Sequence, residues 1–218
     1  MNQAFWNKNA ATWAKAVQGR LIESRKVTLP AVVAAIARRQ PRQVLDLGCG
    51  EGCIAGELLP RGIRYVGLDF SSALLEVARR THPGATFEVA SYAEMIADTG
   101  GWRGDERFDL AVFNFALFDE DLRPILRKVR SFLAPGGAIV IQTLHPCFAL
   151  TPYQDGWQTE DFKAFPLPFD GTMPWFGRTL GSWVAQLADA GLKLVAFDEP
   201  LSPATQKPCA MILTAEPV

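Results

Sequence analysis

The sequence predicts an α/β fold built on a seven-stranded, mostly parallel sheet, with helices on both faces and an antiparallel last strand. Three observations carry that prediction. Short apolar runs alternate with helical runs from residue 43 onward, the pattern of a parallel sheet covered on both faces. A glycine-rich stretch, GCGEG, joins the first apolar run to a helical one. The last two apolar runs are joined by a short link, which suits an antiparallel pair better than a right-handed crossover.

The elements follow in order. Residues 1–40 form a helical cap: AFWNKNAATWAKAV places Trp6, Trp13 and Val17 near one face, and LPAVVAAIARR gives a second helix with Pro30 in its first turn. Pro41 closes that segment. QVLDLG is the first strand, and GCIAGELLP the helix that leaves the glycine stretch. RYVGLDF is the second strand, followed by the helix SSALLEVARRTH, with Ser71 or Ser72 placed to cap it. ATFEVAS and FDLAVFN are the third and fourth strands. DEDLRPILRKVRSFLAPGG is a helix with a glycine stop, and GAIVIQTL the fifth strand. RTLGSWVAQLADAGLKLVAFDEP gives a helix, a glycine turn and the sixth strand, and KPCAMILTAE the seventh. The chain reads as one domain over 1–218, divided into the cap (1–40), the half bearing the glycine loop (41–144), an insertion (145–177) and a C-terminal helix with its strand pair (178–218).

The insertion breaks the alternation. Residues 145–177 show little periodicity and hold Phe148, Tyr153, Trp157, Phe162, Phe165, Phe169, Trp175 and Phe176. Long irregular segments inside a compact domain often serve as lids, so a ligand-covering role is expected. The plainer alternative is a small satellite hairpin or helix packed on the core.

Composition excludes several partners. The 218 residues carry 22 basic and 23 acidic side chains and a formal charge of −1, so no concentrated basic surface is available for a nucleic acid. Arg38, Arg39 and Arg42, beside Pro41, read as a solvated helix end. The opening MNQAFWNKNA lacks a signal-peptide pattern and no apolar run approaches a membrane span, so a cytoplasmic location without a membrane partner is expected. Cys49, Cys53, Cys147 and Cys209 lack zinc-site spacing; reduced thiols and no metal are expected.

The chemistry concentrates in VLDLGCGEG, residues 44–52. A strand running into glycines and then a helix lets a ligand approach the backbone closely, in the crevice where open α/β sheets bind nucleotides. Gly48, Gly50 and Gly52 are spaced G-x-G-x-G, and Cys53 stands where the dinucleotide fingerprint needs its third glycine. No Walker lysine follows. Asp46, just before the loop, suits a ligand with a positive charge, an ammonium or sulfonium, better than a pyrophosphate.

This stretch resembles motif I of the class I S-adenosylmethionine-dependent methyltransferases, V-L-D-x-G-x-G-x-G. YVGLDFS is similar to their second motif, which implies that Asp69, about twenty residues past the loop, binds the ribose hydroxyls. FEVASYAEM resembles the third motif, with Ser91 and Tyr92 against the adenine. FDLAVFNFALF resembles the fourth, with Asn114 and Phe115 near the methionine part and the reacting methyl. LRKVRSFLAPGGAIVI is similar to the turn before strand five. The resemblance is to the small-molecule, type 11-like group and implies a Rossmann-like sheet. Its implied cofactor site comprises Trp13, Asp46, Gly48, Cys49, Gly50, Asp69, Phe70, Ser91, Tyr92, Asn114 and Phe115. Read singly, Asp46 and Asp69 are also suited to capping turns, and Tyr92 and Phe115 to core packing.

Transfer of a methyl from a sulfonium chiefly requires alignment and exclusion of water. A base is needed only where the acceptor must lose a proton. His145, directly after strand five, is the candidate catalytic base, with a helix or loop cap as the plainer alternative; His82, beside Pro83, reads as a helix-end residue, and Arg178 as a solvated helix start that is also suited to binding a substrate anion. A cation–π contact from Trp6 or Trp13 to the sulfonium is physically reasonable, with ordinary core packing of either ring an equal alternative. Asn114, Phe115, Ala116 and Leu117 stand where base and amide N-methyltransferases carry an N/D-P-P-Y/F tetrad, which disfavours those substrates. The expected acceptor is a small neutral, apolar or cationic molecule, and the protein a monomer or homodimer. A protein or tRNA methyltransferase and a non-catalytic cofactor-binding module are the competing readings.

Overall fold

A computed structural model describes residues 2–99, 102 and 106–218. Two helices, α1 (Gln3–Gln18) and α2 (Arg25–Arg38), precede the first strand, β1 (Gln43–Leu47). Then follow α3 (Cys53–Leu58), β2 (Arg64–Asp69), α4 (Ser72–Thr81), β3 (Thr86–Val89), α5 (Tyr92–Ala97), β4 (Phe108–Asn114), α6 (Arg123–Arg130) and β5 (Leu133–Thr143). The insertion supplies α7 (Pro146–Ala149), β6 (Gly156–Glu160) and β7 (Met173–Gly177); α8 (Leu180–Asp189), β8 (Leu192–Asp198) and β9 (Met211–Pro217) complete the chain.

Seven strands form one sheet in the order β3-β2-β1-β4-β5-β9-β8, and β6 pairs with β7 as a separate hairpin. The first five strands are mutually parallel. β9 runs antiparallel to both β5 and β8, so the expected reversal at the end of the chain is present. The order turns back between β1 and β4, and it is there that an open α/β sheet leaves a crevice at its strand ends.

Side chains alternate across the sheet and build two cores. Leu45, Leu47, Phe113, Ile139 and Ile141 pack with Ile125, Leu126 and Val129 of α6 and Trp183 and Leu187 of α8. On the opposite face Val44, Tyr65, Val112 and Val140 pack with Val32, Val33 and Ile36 of α2 and with α3 and α4. Burial on both faces explains why the strands read as continuous apolar runs.

Three local expectations are corrected. Pro30 lies inside α2 and not in its first turn, because the helix begins earlier, at Arg25. α6 ends at Ser131, whose N–H and hydroxyl bond back to the last turn, rather than at the glycine pair. The insertion is not irregular throughout: it folds into a four-residue helix and a hairpin, the elements of the plainer alternative.

Candidate functional site

The glycine loop sets the floor of the site. Gly48, Gly50 and Gly52 all have positive φ, at 74°, 57° and 81°, a region that side chains with a Cβ rarely adopt. At Gly48 a Cβ would lie 2.6 Å from the Ala116 Cβ, which holds loop and post-β4 segment in contact. At Gly50 a Cβ would meet only Trp13 Nε1, at 3.9 Å, so the open side of the loop faces the indole.

Two aspartates bracket this loop. Asp69, at the end of β2, accepts the Gly50 N–H at 2.9 Å through Oδ2 and the Ser71 N–H at 2.8 Å through Oδ1. Burial nevertheless pushes its carboxyl up to about 6, against those two N–H donors. Asp46, in β1, accepts the Tyr65 hydroxyl at 2.5 Å through Oδ2, while its buried Oδ1 has no partner. Burial is the main cause that raises Asp46 to about 7, with the Tyr65 hydrogen bond opposing and Asp69 and Glu51 adding repulsion. A buried carboxylate surrounded by other carboxylates is electrostatically suited to a cation.

Glu51 went unremarked in the sequence. It is 5% exposed, accepts Trp13 Nε1–H at 2.8 Å through Oε2, and pairs with Arg25 Nη1 at 2.9 Å through Oε1. The Arg25 guanidinium lies 5.0 Å over the Trp13 ring. One glycine-loop carboxylate therefore fastens both cap helices. Its position inside GCGEG was the available signal, but its partners lie 26 and 38 residues away.

The remaining cofactor candidates divide into two groups. Tyr92 donates toward the carbonyls of Leu47 (3.2 Å) and Ala116 (3.3 Å) and sits edge-on to Phe113, so it clasps the ends of β1 and β4. Phe115 has φ of 52°, a strained conformation for a bulky residue; its N–H donates to the Gln142 carbonyl. Asn114 Oδ1 is buried without a partner. These groups meet at the strand ends. By contrast, the Cys49 thiol turns toward β2, 2.7 Å from where a Gly67 Cβ would be, and burial raises it well above the ordinary thiol range. The Ser91 hydroxyl is engaged in a capping box with Glu94 at the start of α5. Phe70 is half-buried beside Asp69.

His145 is 4% exposed and caps α7. Its Nδ1 accepts the Cys147 N–H at 3.3 Å, which leaves Nε2–H to donate to Glu199 Oε1 at 2.7 Å. Both ring nitrogens are engaged. Arg178 is not the solvated residue that its sequence position suggested: it is 2% exposed and packs on the rings of Phe176 and Trp183. It donates to the carbonyls of Phe176 and Asp119. Burial lowers it to about 10, opposed by Asp155 and Asp119, so it stays charged at neutral pH. His82 packs its ring near Gly52 and Gly56; burial lowers its pKa.

Rings form the roof. Phe162 stacks on Phe5 (4.9 Å) and Phe169 (4.6 Å), Phe165 and Phe169 reach Trp13, and Trp6 meets Trp13 edge-on. Asn9 ties α1 to the insertion by donating to the Asp170 carbonyl and accepting its N–H. Cap and insertion thus share one aromatic cluster, with Trp13 between it and the glycine loop. Among the described residues, no group of three or more His, Cys, Asp or Glu side chains is arranged to hold a metal ion. No described helix is long and apolar enough to cross a membrane.

Comparison with known proteins reports on the same region. A methyltransferase domain family matches residues 44–137, from β1 to the turn within β5. The chain is 29% identical over 174 residues to a malonyl-(acyl-carrier protein) O-methyltransferase of Pseudescherichia vulneris, covering 78% of this chain and 65% of that protein. It is 30% identical over 135 residues to a trans-aconitate 2-methyltransferase of Methylobacterium radiotolerans, covering 61% and 49%. The chain therefore spans about half to just under two thirds of the length of these relatives. Among solved structures, an S-adenosylmethionine-dependent methyltransferase from Mesorhizobium loti superposes with a TM-score of 0.62 at 25% identity, over 84% of this chain and 95% of that one.

Proposed function

We propose that the chain, whose residues 44–137 match a methyltransferase domain family, is an enzyme that transfers a methyl group from S-adenosylmethionine to a small-molecule acceptor. The observation that carries this reading is the pair of buried aspartates flanking an open glycine loop. Asp46 keeps an unpartnered carboxylate oxygen, which fits a ligand bearing an ammonium and a sulfonium. Gly50 offers a cradle with only the Trp13 indole nearby. Asp69, already aligned by two backbone N–H groups, retains lone pairs for ribose hydroxyls. The residues present fit the cofactor.

When bound, S-adenosylmethionine supplies a methyl already activated for displacement, so the chain has to orient the acceptor and keep water out. Tyr92 and the strained Phe115 fix the ends of β1 and β4 beside the loop. Trp13 and the rings of Phe165 and Phe169 form an apolar cover, which favours an acceptor with an apolar body. His145, with both nitrogens engaged, acts in this reading as a positioning residue that holds the turn after β5 against Glu199, in place of the general base that the sequence suggested.

Calorimetric titration with S-adenosylmethionine and S-adenosylhomocysteine, beside an Asp69→Ala variant, tests the reading. Saturable binding that the variant loses supports it. An intact protein that binds neither ligand overturns it.

A further inference from the structure

Three buried side-chain oxygens lack a hydrogen-bond donor at the ends of neighbouring strands: Asp46 Oδ1, Asn114 Oδ1 and Gln142 Oε1. They share one face of the sheet. Asn114 of β4 and Gln142 of β5 are register partners, and Asp46 of β1 is level with Val112, two residues before Asn114. Register partners in a parallel sheet point to the same side, and residues two apart return to it. That side is the one where Val44, Val112 and Val140 meet α2.

Gln142 is 1% exposed, and its orientation is fixed. Its Nε2–H donates to the Thr28 carbonyl in α2 at 2.9 Å, which assigns the other end of the amide as the free oxygen. Buried acceptors are almost always satisfied, because each lost water bond otherwise goes uncompensated. Three free acceptors on one face suit a group that donates several hydrogen bonds and accepts none. An ammonium carries three N–H donors and no acceptor. Its charge also matches the surroundings, where Asp46, Asp69 and Glu51 lie near the loop and the nearby Arg25 is held by Glu51.

We propose that Gln142 is a specificity-determining residue for the ammonium group of the cofactor's amino-acid end, completing with Asp46 and Asn114 a three-oxygen seat. The inference rests on the function proposed above and adds a residue that lies outside the glycine loop and outside every sequence motif. Because Gln142 is held by Thr28, the seat also includes the start of the cap helix. A ligand with the amino-acid end thus engages α2, and a nucleoside without it does not.

The test compares S-adenosylhomocysteine with 5′-methylthioadenosine, a thioether nucleoside that lacks the amino-acid end, by calorimetry on the whole chain. Gln142→Met keeps the length of the side chain and removes the acceptor oxygen; Gln142→Glu keeps an acceptor. The quantity read is the ratio of the two affinities, which a general loss of folded protein does not move. Gln142→Met is expected to weaken S-adenosylhomocysteine by about ten-fold or more and leave 5′-methylthioadenosine unchanged. Gln142→Glu is expected to retain the preference. An unchanged ratio in Gln142→Met, whether both ligands weaken together or neither does, overturns the proposal while leaving the cofactor reading intact. Failure of the unsubstituted chain to bind S-adenosylhomocysteine overturns both.

Discussion

Below Trp13 the site is made of carboxylates on rigid strand ends, and above it of stacked rings on the cap and insertion. Asp46, Glu51 and Asp69 are each at most 6% exposed and sit on or beside the glycine loop, where backbone N–H groups, Tyr65, Trp13 and Arg25 fix them. Phe5, Phe162, Phe165 and Phe169 have no polar atoms, and hold one another by stacking and edge contacts. The contrast separates two tasks. Charge that is expensive to bury specifies where a cation binds, whereas rings exclude water and accept apolar shapes without dictating chemistry. Glu51 joins the two layers, because its partners Trp13 and Arg25 belong to the cap.

Breaking that joint has the largest expected effect. Glu51→Ala leaves Arg25, whose side chain is 22% exposed, without its anion, and is expected to cost about 3 kcal/mol of stability, read by denaturant unfolding. A loss below about 1 kcal/mol would mean that the ion pair does not hold the cap, which its rings and the packing of α2 on the sheet secure without it. Removing a floor carboxylate comes next. Asp69→Ala is expected to weaken S-adenosylhomocysteine about a hundred-fold, the scale of lost hydrogen bonds to a charged group, with a much smaller change in melting temperature.

The roof should answer in the opposite sense. Phe169→Ala removes a half-buried ring in contact with Phe162, Phe165 and Trp13, and is expected to cost about 1.5 kcal/mol of stability. Cofactor affinity should change less than about three-fold, since no charged contact is lost. An affinity loss as large as that of Asp69→Ala would erase the division between floor and roof.

The smallest effect is on pH. Asp46 and Asp69 are raised to about 7 and about 6 from 3.8 by burial. Carboxyls raised on folding favour the folded state below their unfolded pKa, and that contribution is lost as pH rises through the folded values. The ligand-free protein should therefore lose stability from these two groups between about pH 4 and about pH 7. A cationic ligand prefers the ionised pair, so affinity for S-adenosylhomocysteine should rise several-fold over about pH 6 to 8. A flat profile would show that the carboxylates do not face the ligand's charge.

The same division explains what the sequence disclosed. The floor is local: Asp46, Gly48 and Gly50 lie in one short stretch, and Asp69 follows at the end of the next strand, where the resemblance to the second methyltransferase motif placed it. Alternation of apolar runs likewise gave the parallel strands, and the link between the last two runs gave the reversed end of the sheet. The roof depends on distant partners. The strand MPWFG contains Pro174, which argues against a strand interior, yet β6 and β7 form an isolated pair in which both strands are edges. Arg25 precedes the second helix expected from the sequence, and its ion pair with Glu51, 26 residues along the chain, has no local signal. Arg178 read as solvated because a charged residue next to a helix start usually is; its burial between Phe176 and Trp183 is visible only once the insertion folds back. Gln142 drew no notice within an apolar strand, and only its register with Asn114 gives it meaning.

A crystal structure of the chain with S-adenosylhomocysteine tests the central claim most directly. The account predicts the ribose hydroxyls on Asp69, the ammonium among Asp46, Asn114 and Gln142, and the Trp13 indole over the ligand. A ligand bound elsewhere, or bound with its ammonium turned away from Asp46, would contradict it.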